Sequence, residues 1–252
     1  MKKITLLALC AALIAIVAPG CVSVNFAGTM QNGSPVTGRG ELEQYTFNVS
    51  EITEIKVELF CNVEYYAAPS NTVTLEIQPN LMEFVTVEES GGILTVRSSR
   101  TINWSGWPNT NVPVLTVSTP ALNRLNLMGA GSFTTHDTIT ADSFALDTAG
   151  ALTGSADFDV DSITVSMSGA GDIKLTGIAD TAWLSMSGAG SLNALELRTR
   201  DTNINLAGAA TVKISCSESL TINAGGVGSI EYRGNPRLDL TRGGMVSIRQ
   251  VD

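Results

Sequence analysis

The chain has 252 residues, 44% of them apolar and only 6% aromatic, with 24 glycines. Fifteen basic residues against 24 acidic ones give a formal charge of −9, a surface that repels phosphate backbones and anionic headgroups and so argues against nucleic-acid binding and charge-driven lipid binding. The lone histidine, His136, rules out two-histidine zinc motifs.

Met1-Lys2-Lys3 is a short basic segment, and Ile4 to Ala18 is almost unbroken apolar sequence, too short for a comfortable membrane span and suited to a secretory signal. It ends in Ala18-Pro19-Gly20-Cys21, which resembles the lipobox of bacterial lipoproteins, where cleavage leaves the cysteine as an acylated first residue. Residues 1–20 are therefore read as a signal peptide and Cys21 as the lipidation site, an anchor that needs no spanning helix. Val22 is not the aspartate that in many Gram-negative bacteria retains lipoproteins at the inner membrane, so the resemblance implies the outer membrane, with periplasmic and surface display both open. Without Lys2 and Lys3 the chain from Cys21 carries 13 basic and 24 acidic residues, a charge of −11. Residues 21–40, rich in Gly, Ser, Asn and Thr, read as a flexible tether, and residues 41–252 as a single domain.

From Tyr45 strands follow one another, at Tyr45–Val49, Glu54–Phe60, Val63–Tyr66, Thr72–Gln78, Phe84–Glu88, Ile93–Arg97, Val112–Ser118 and Leu122–Met128. Ile55, Val57 and Leu59 alternate with Lys56 and Glu58, the two-residue period of a strand with one buried face. Gly91-Gly92 predicts a hairpin or corner. The region from Glu41 to Glu89 holds ten glutamates against Lys56 and is expected to be well solvated.

Between Leu125 and Ile248 one phrase occurs seven times: an aliphatic residue, a spacer, a small or apolar residue, a spacer and a glycine. The glycines are Gly129, Gly150, Gly169, Gly188, Gly208, Gly226 and Gly244, at steps of 21, 19, 19, 20, 18 and 18 residues. A repeat of that length is one supersecondary unit. Small neighbours such as Ser168-Gly169-Ala170-Gly171 permit positive φ and close stacking of one coil on the next. Four residues past the glycine the chain is apolar again (Phe133, Ile173, Leu192, Val212, Ile230, Ile248), with Gly154 the exception. The pattern predicts an all-β parallel β-helix with coils of about 18–21 residues, preceded by wider, irregular N-terminal coils that close its end. The Gly-x-Gly pairs are structural corners, because Thr134, Lys174, Asn193 and Glu231 stand where a dinucleotide loop needs its third glycine.

A lipoprotein signal, opening strands of the Ile55-Lys56-Val57-Glu58-Leu59 and Val63-Glu64-Tyr65 kind, Gly91-Gly92-Ile93-Leu94-Thr95-Val96, and the repeated Ser-Gly-Ala-Gly segments at 168–171 and 187–190 together resemble the putative auto-transporter adhesin, head GIN domain family. The resemblance spans about Tyr45 to Ile248. It implies a bacterial cell-envelope β-helix and brings no catalytic residues with it.

Several local constellations are candidates for chemistry. Trp104 and Trp107 lie in a polar, turn-rich loop and are the first choice for a recognition site, since exposed indoles stack on sugars or partner side chains; the alternative is a lid folded over the coil. Trp183, beside Leu184, is expected to pack. Asp157, Asp159 and Asp161 alternate with Phe158 and Val160 and project from one face, where a cation such as calcium is the sharper reading and a solvated acidic face the blander one. His136 lies beside Asp137 with no nucleophile elbow nearby, and Arg198 and Arg200 are the only close basic pair. Cys61 and Cys216 are read as separate buried thiols, the alternative being a disulfide formed in an oxidising periplasm.

These features favour a lipid-anchored, non-catalytic envelope protein of binding, adhesive or structural role, meeting a glycan or protein partner and using no cofactor. The alternative is a glycan-active enzyme, a polysaccharide lyase or hydrolase on the same scaffold.

Overall fold

The structure, a computed structural model, describes residues 34–103 and 111–252. In chain order its elements are β1 (Val36–Thr37), β2 (Glu43–Phe47), β3 (Glu54–Glu58), β4 (Cys61–Ala67), β5 (Thr72–Ile77), the one-turn helix α1 (Pro79–Met82), β6 (Val85–Ser90), β7 (Ile93–Ser98), β8 (Ile102–Asn103), β9 (Val114–Thr119), β10 (Arg124–Leu127) and β11 (Ala130–Thr135). Longer strands then follow: β12 (Ile139–Thr148), β13 (Ala151–Met167), β14 (Ala170–Met186), β15 (Ala189–Leu206) and β16 (Ala209–Ala224), before β17 (Val227–Arg233), β18 (Arg237–Arg242) and β19 (Met245–Gln250). The fold is the all-β parallel solenoid that the repeat predicts, with about seven turns.

Alternation within a turn is broken by offsets, once in β13 and twice in β15, where Ala194 to Leu197 and Thr199 to Thr202 are three-residue steps. In β13 the first run points Leu152, Gly154, Ala156, Phe158 and Val160 inward; the step to Ile163 is three residues instead of two, and the second run points Ile163, Val165 and Met167 inward. Asp161, at the extra residue, has no register partner, and Val160 and Ser162 pair with Ala179 and Thr181 of the next turn. That offset is the corner between the runs. The aliphatic residue of each phrase stacks in register on the next, from Leu125 through Leu146, Val165, Leu184, Ile204 and Ile222 to Leu240. Ile163, Val165, Leu220 and Ile222 are fully buried, each contributing about 1.5–3 kcal/mol by leaving water.

The seven glycines stand in one file at the other corner. A Cβ on Gly150 would meet the carbonyl oxygen of Gly129, one on Gly169 that of Gly150, and so on through Gly188, Gly208, Gly226 and Gly244; the file begins on the carbonyl of Leu59. Those carbonyls are in use: Gly150 O accepts from the N–H of Ala170, Gly169 O from Ala189, Gly188 O from Ala209, Gly208 O from Val227 and Gly226 O from Met245, at 2.7–3.0 Å. Coils about 4.8 Å apart leave no room for a side chain there. Conformation is a second reason at only one of the seven, Gly150 (φ 147°); positive φ belongs chiefly to the second glycine of each pair, as in Gly171 (148°) and Gly190 (144°). The exception at Gly154 also has a cause. Phe133 of the coil below lays its ring over that position, and a Gly154 Cβ would come within 2.5 Å of the ring's Cζ.

The N-terminal region closes the end as predicted, but by interleaving instead of winding in order. β3 lies between β7 and β10, parallel to both, and β4 lies between β9 and β11. The chain therefore makes one coil, leaves it, lays the coil below, and crosses over to continue above. Around this are antiparallel pairs: β6 with β7 through the Gly91-Gly92 hairpin (φ 60° and 80°), and β5 with β9 and β2. α1 inserts fully buried Leu81 into the same cap. Part of the expected 21–40 tether is docked: β1 pairs with β8, Arg100 Nη2 donates to Ser34 O at 2.6 Å, and Asn80 receives the Arg39 N–H and donates to Thr37 O. Residues 34–40 thus belong to the folded body.

Cys61 and Cys216 are free and buried. They lie on β4 and β16, five coil steps or roughly 24 Å apart along the axis, far beyond the ~7 Å Cα separation that a disulfide spans. Cys216 Sγ lies 3.2 Å from Arg200 O and 3.1 Å from Ser219 O, where its thiol serves corner carbonyls.

Candidate functional site

Alternation that sends Ala182, Leu184 and Met186 into the core sends Trp183 and Ser185 out. Trp183 is 46% exposed, which corrects the expectation that it packs. Its register neighbours are Thr164 on the coil below and Asn203 on the coil above, both smaller, so the indole stands above the sheet. Around it lies a shallow depression of about 190 Å³ lined by Thr164, Ser185, Asn203, Asn205 and Asn223. Asn205 and Asn223 are register partners on successive coils. The side chains of these five residues make no hydrogen bond to the described residues, so their hydroxyls and amides face solvent.

Thr164 also borders a second, larger depression of about 410 Å³ farther down the same face, lined by Thr53, Asn123, Ser143 and Ser162 and flanked by charge. There Arg124 pairs with Asp147 at 2.6 Å and approaches Glu54 at 3.9 Å. The outer surface of the second run is thus one continuous strip, charged toward the cap and uncharged around Trp183.

The other candidates fall elsewhere. Asp157, Asp159 and Asp161 all point outward from β13, Asp157 and Asp159 about 6.6 Å apart along the first run and Asp161 at the corner. Asp157 is already engaged, accepting from Thr138 at 2.6 Å and Thr176 at 2.5 Å. Among the described residues, no three His, Cys, Asp or Glu side chains gather as a metal ion would require. His136 stacks on Tyr66 with centroids 4.3 Å apart, Nε2 lying 3.8 Å from Glu64, and neighbouring Asp137 accepts the Ala67 N–H. That is a bracing contact at a coil corner. Arg200 is committed to Glu218 at 3.0 Å, and this hydrogen-bonded pair holds the Glu218 carboxyl below its ordinary range. Burial pushes the Cys61 thiol up to about 12, which leaves it inert as a nucleophile. Trp104, Trp107 and Cys21 lie outside the described residues.

Sequence reasoning passed over Trp183 although its signal was present. In Ala182-Trp183-Leu184-Ser185-Met186 the residues on either side of the indole belong to the inward set, and parity alone sends Trp183 outward.

Solved structures show the same architecture. A putative adhesin from Bacteroides fragilis superposes with a TM-score of 0.76 at 22% identity, covering 86% of this chain and 100% of its own. A putative lipid binding protein from Parabacteroides distasonis gives 0.62 at 20% identity over 87% and 100% of the two chains, and a putative adhesin from Parabacteroides merdae 0.58 at 17% over 87% and 100%. At these identities the likeness establishes the fold. No functionally curated protein matches the sequence. The family model described as putative auto-transporter adhesin, head GIN domain, matches residues 51–236, which span the interleaved cap and all but the last coil, and the chain belongs to that family.

Proposed function

We propose that the protein is a lipid-anchored, non-catalytic binding protein of the bacterial cell envelope, a stiff β-helical column that presents its outer face to a partner. The observation that carries this reading is the strip on the second run: an exposed indole set among unbonded hydroxyls and amides, a surface equipped for recognition instead of acid–base chemistry. The adhesin description of the family, and of two of the similar structures, supports the same role. Cys21 is the anchor on the strength of Ala18-Pro19-Gly20-Cys21, and Val22 in place of the inner-membrane aspartate supports an outer-membrane location. Trp104 and Trp107 remain candidate contributors to binding.

Metabolic labelling with a fatty-acid analogue tests the anchor. The native chain is expected to incorporate label and fractionate with membranes, whereas Cys21→Ala does neither; label retained in Cys21→Ala refutes the assignment. Adhesion of proteoliposomes bearing the chain, compared with protein-free vesicles, tests the binding role.

A further inference from the structure

We propose that the depression around Trp183 binds a neutral saccharide, an inference that rests on the binding role and names its ligand class. The fold has no need of an indole there: flanking Ala182 and Leu184 are fully buried and complete the core without it. A pyranose ring offers apolar C–H faces and a rim of hydroxyls, and the site offers the complement. The indole supplies a flat apolar surface. The amides of Asn205 and Asn223 each present a donor and an acceptor, about 4.8 Å apart from coil to coil, with the hydroxyls of Thr164 and Ser185 on the near side. All these groups lack partners among the described residues, so binding would displace only solvent from them.

Charge narrows the class. No ionisable side chain lines the depression, and the chain as a whole carries −9, which disfavours acidic polymers. A protein partner would call for a wider apolar centre than one indole provides, since stable interfaces bury about 800 Å² per side around an apolar core. The depression is open at the sheet surface, so it accommodates an internal segment of a glycan chain as well as an end.

Affinity electrophoresis of the full chain in detergent tests this, with laminarin, mannan and dextran as neutral probes and polygalacturonate as the charged comparison. At least one neutral probe is expected to retard the native chain. Trp183→Ala weakens that retardation about tenfold, Trp183→Phe keeps most of it, and the Asn205→Ala/Asn223→Ala variant lowers it, all with unchanged circular dichroism. Retardation that survives Trp183→Ala but is lost in Trp104→Ala/Trp107→Ala overturns the site and leaves the binding role standing. Retardation by polygalacturonate alone overturns the ligand class. A chain retarded by no neutral probe that still fastens proteoliposomes to a fibronectin-coated surface overturns the saccharide assignment and keeps the binding role; if adhesion also fails, both fall.

Discussion

Two adjacent glycines separate close stacking from mere flexibility. Gly225 and Gly226 occupy one corner, and neither has a positive φ, so backbone preference does not distinguish them. A Cβ on Gly225 would meet nothing nearer than Leu206 O at 4.0 Å. On Gly226 it would lie 2.9 Å from the carbonyl carbon of Ala207 and 3.0 Å from the nitrogen of Gly208, with the Gly208 oxygen closer still. To relieve that contact the corner must lift from the coil below, loosening the bonds from Gly226 N to Leu206 O and from Val227 N to Gly208 O, both 2.9 Å. Two weakened hydrogen bonds at about 1 kcal/mol each, added to an overpacking cost of about 1–3 kcal/mol, place Gly226→Ala at about 3–5 kcal/mol. Gly225→Ala should be neutral or stabilising by a few tenths of a kcal/mol, because it restricts only the unfolded chain. Urea titration followed by far-UV circular dichroism reads both. Equal midpoints for the two variants would show that the glycine file is not set by contact between backbones.

Gly154→Ala is expected to cost about 1–3 kcal/mol through collision with Phe133, and Phe133→Leu should cost less in that background than in the native one; additive effects in the double-mutant cycle would deny the pairing. Glu231 is bracketed by Arg249 at 2.6 Å and Lys213 at 3.2 Å, and the hydrogen bond from Arg249, then that from Lys213, lowers its pKa. A depressed folded pKa gives stability that is complete above the unfolded value of about 4.3 and is lost as pH falls through the folded one. The Tm advantage of native protein over Glu231→Gln should therefore be full at pH 6 and shrink below pH ~4; a gap indifferent to pH refutes the assignment. Iodoacetamide at pH 8 should leave Cys61 and Cys216 unmodified in the folded protein and alkylate both in urea, read by peptide mass spectrometry, since both are buried and the Cys61 thiol is pushed up to about 12. Labelling of Cys61 in the native state would contradict its burial.

The repeating half was legible in the sequence because each phrase states a local rule twice over, once as a two-residue alternation and once as a corner that admits no Cβ. The strands of the cap were equally legible, and Glu54–Phe60 and Ile93–Arg97 differ from β3 and β7 by a residue or two at one end. Their neighbours were not. Alternation says which face of Ile55-Lys56-Val57 is buried, but not that Leu94 lies on one side of Ile55 and Leu125 on the other. Gly154 looked like a lapse in the pattern because its partner, Phe133, is a full turn away. α1 was missed because four residues are too few to show helical periodicity. Trp183 was legible by parity and was overruled by the general habit of burying large aromatic rings.

The interleaved cap also bears on the order of assembly. β3 and β4 acquire their companions from β7 and β9, several dozen residues later, and from β10 and β11, some seventy residues later, whereas every later coil needs only the turn completed just before it. Loop closure over such distances is the slow event. If the cap is the nucleus, the repeats are its extension, each finished edge templating the next. Mutations near Leu240 should speed unravelling from the far tip while sparing the folding rate, and mutations at Ile55 or Val63 should delay the moment at which anything folds at all.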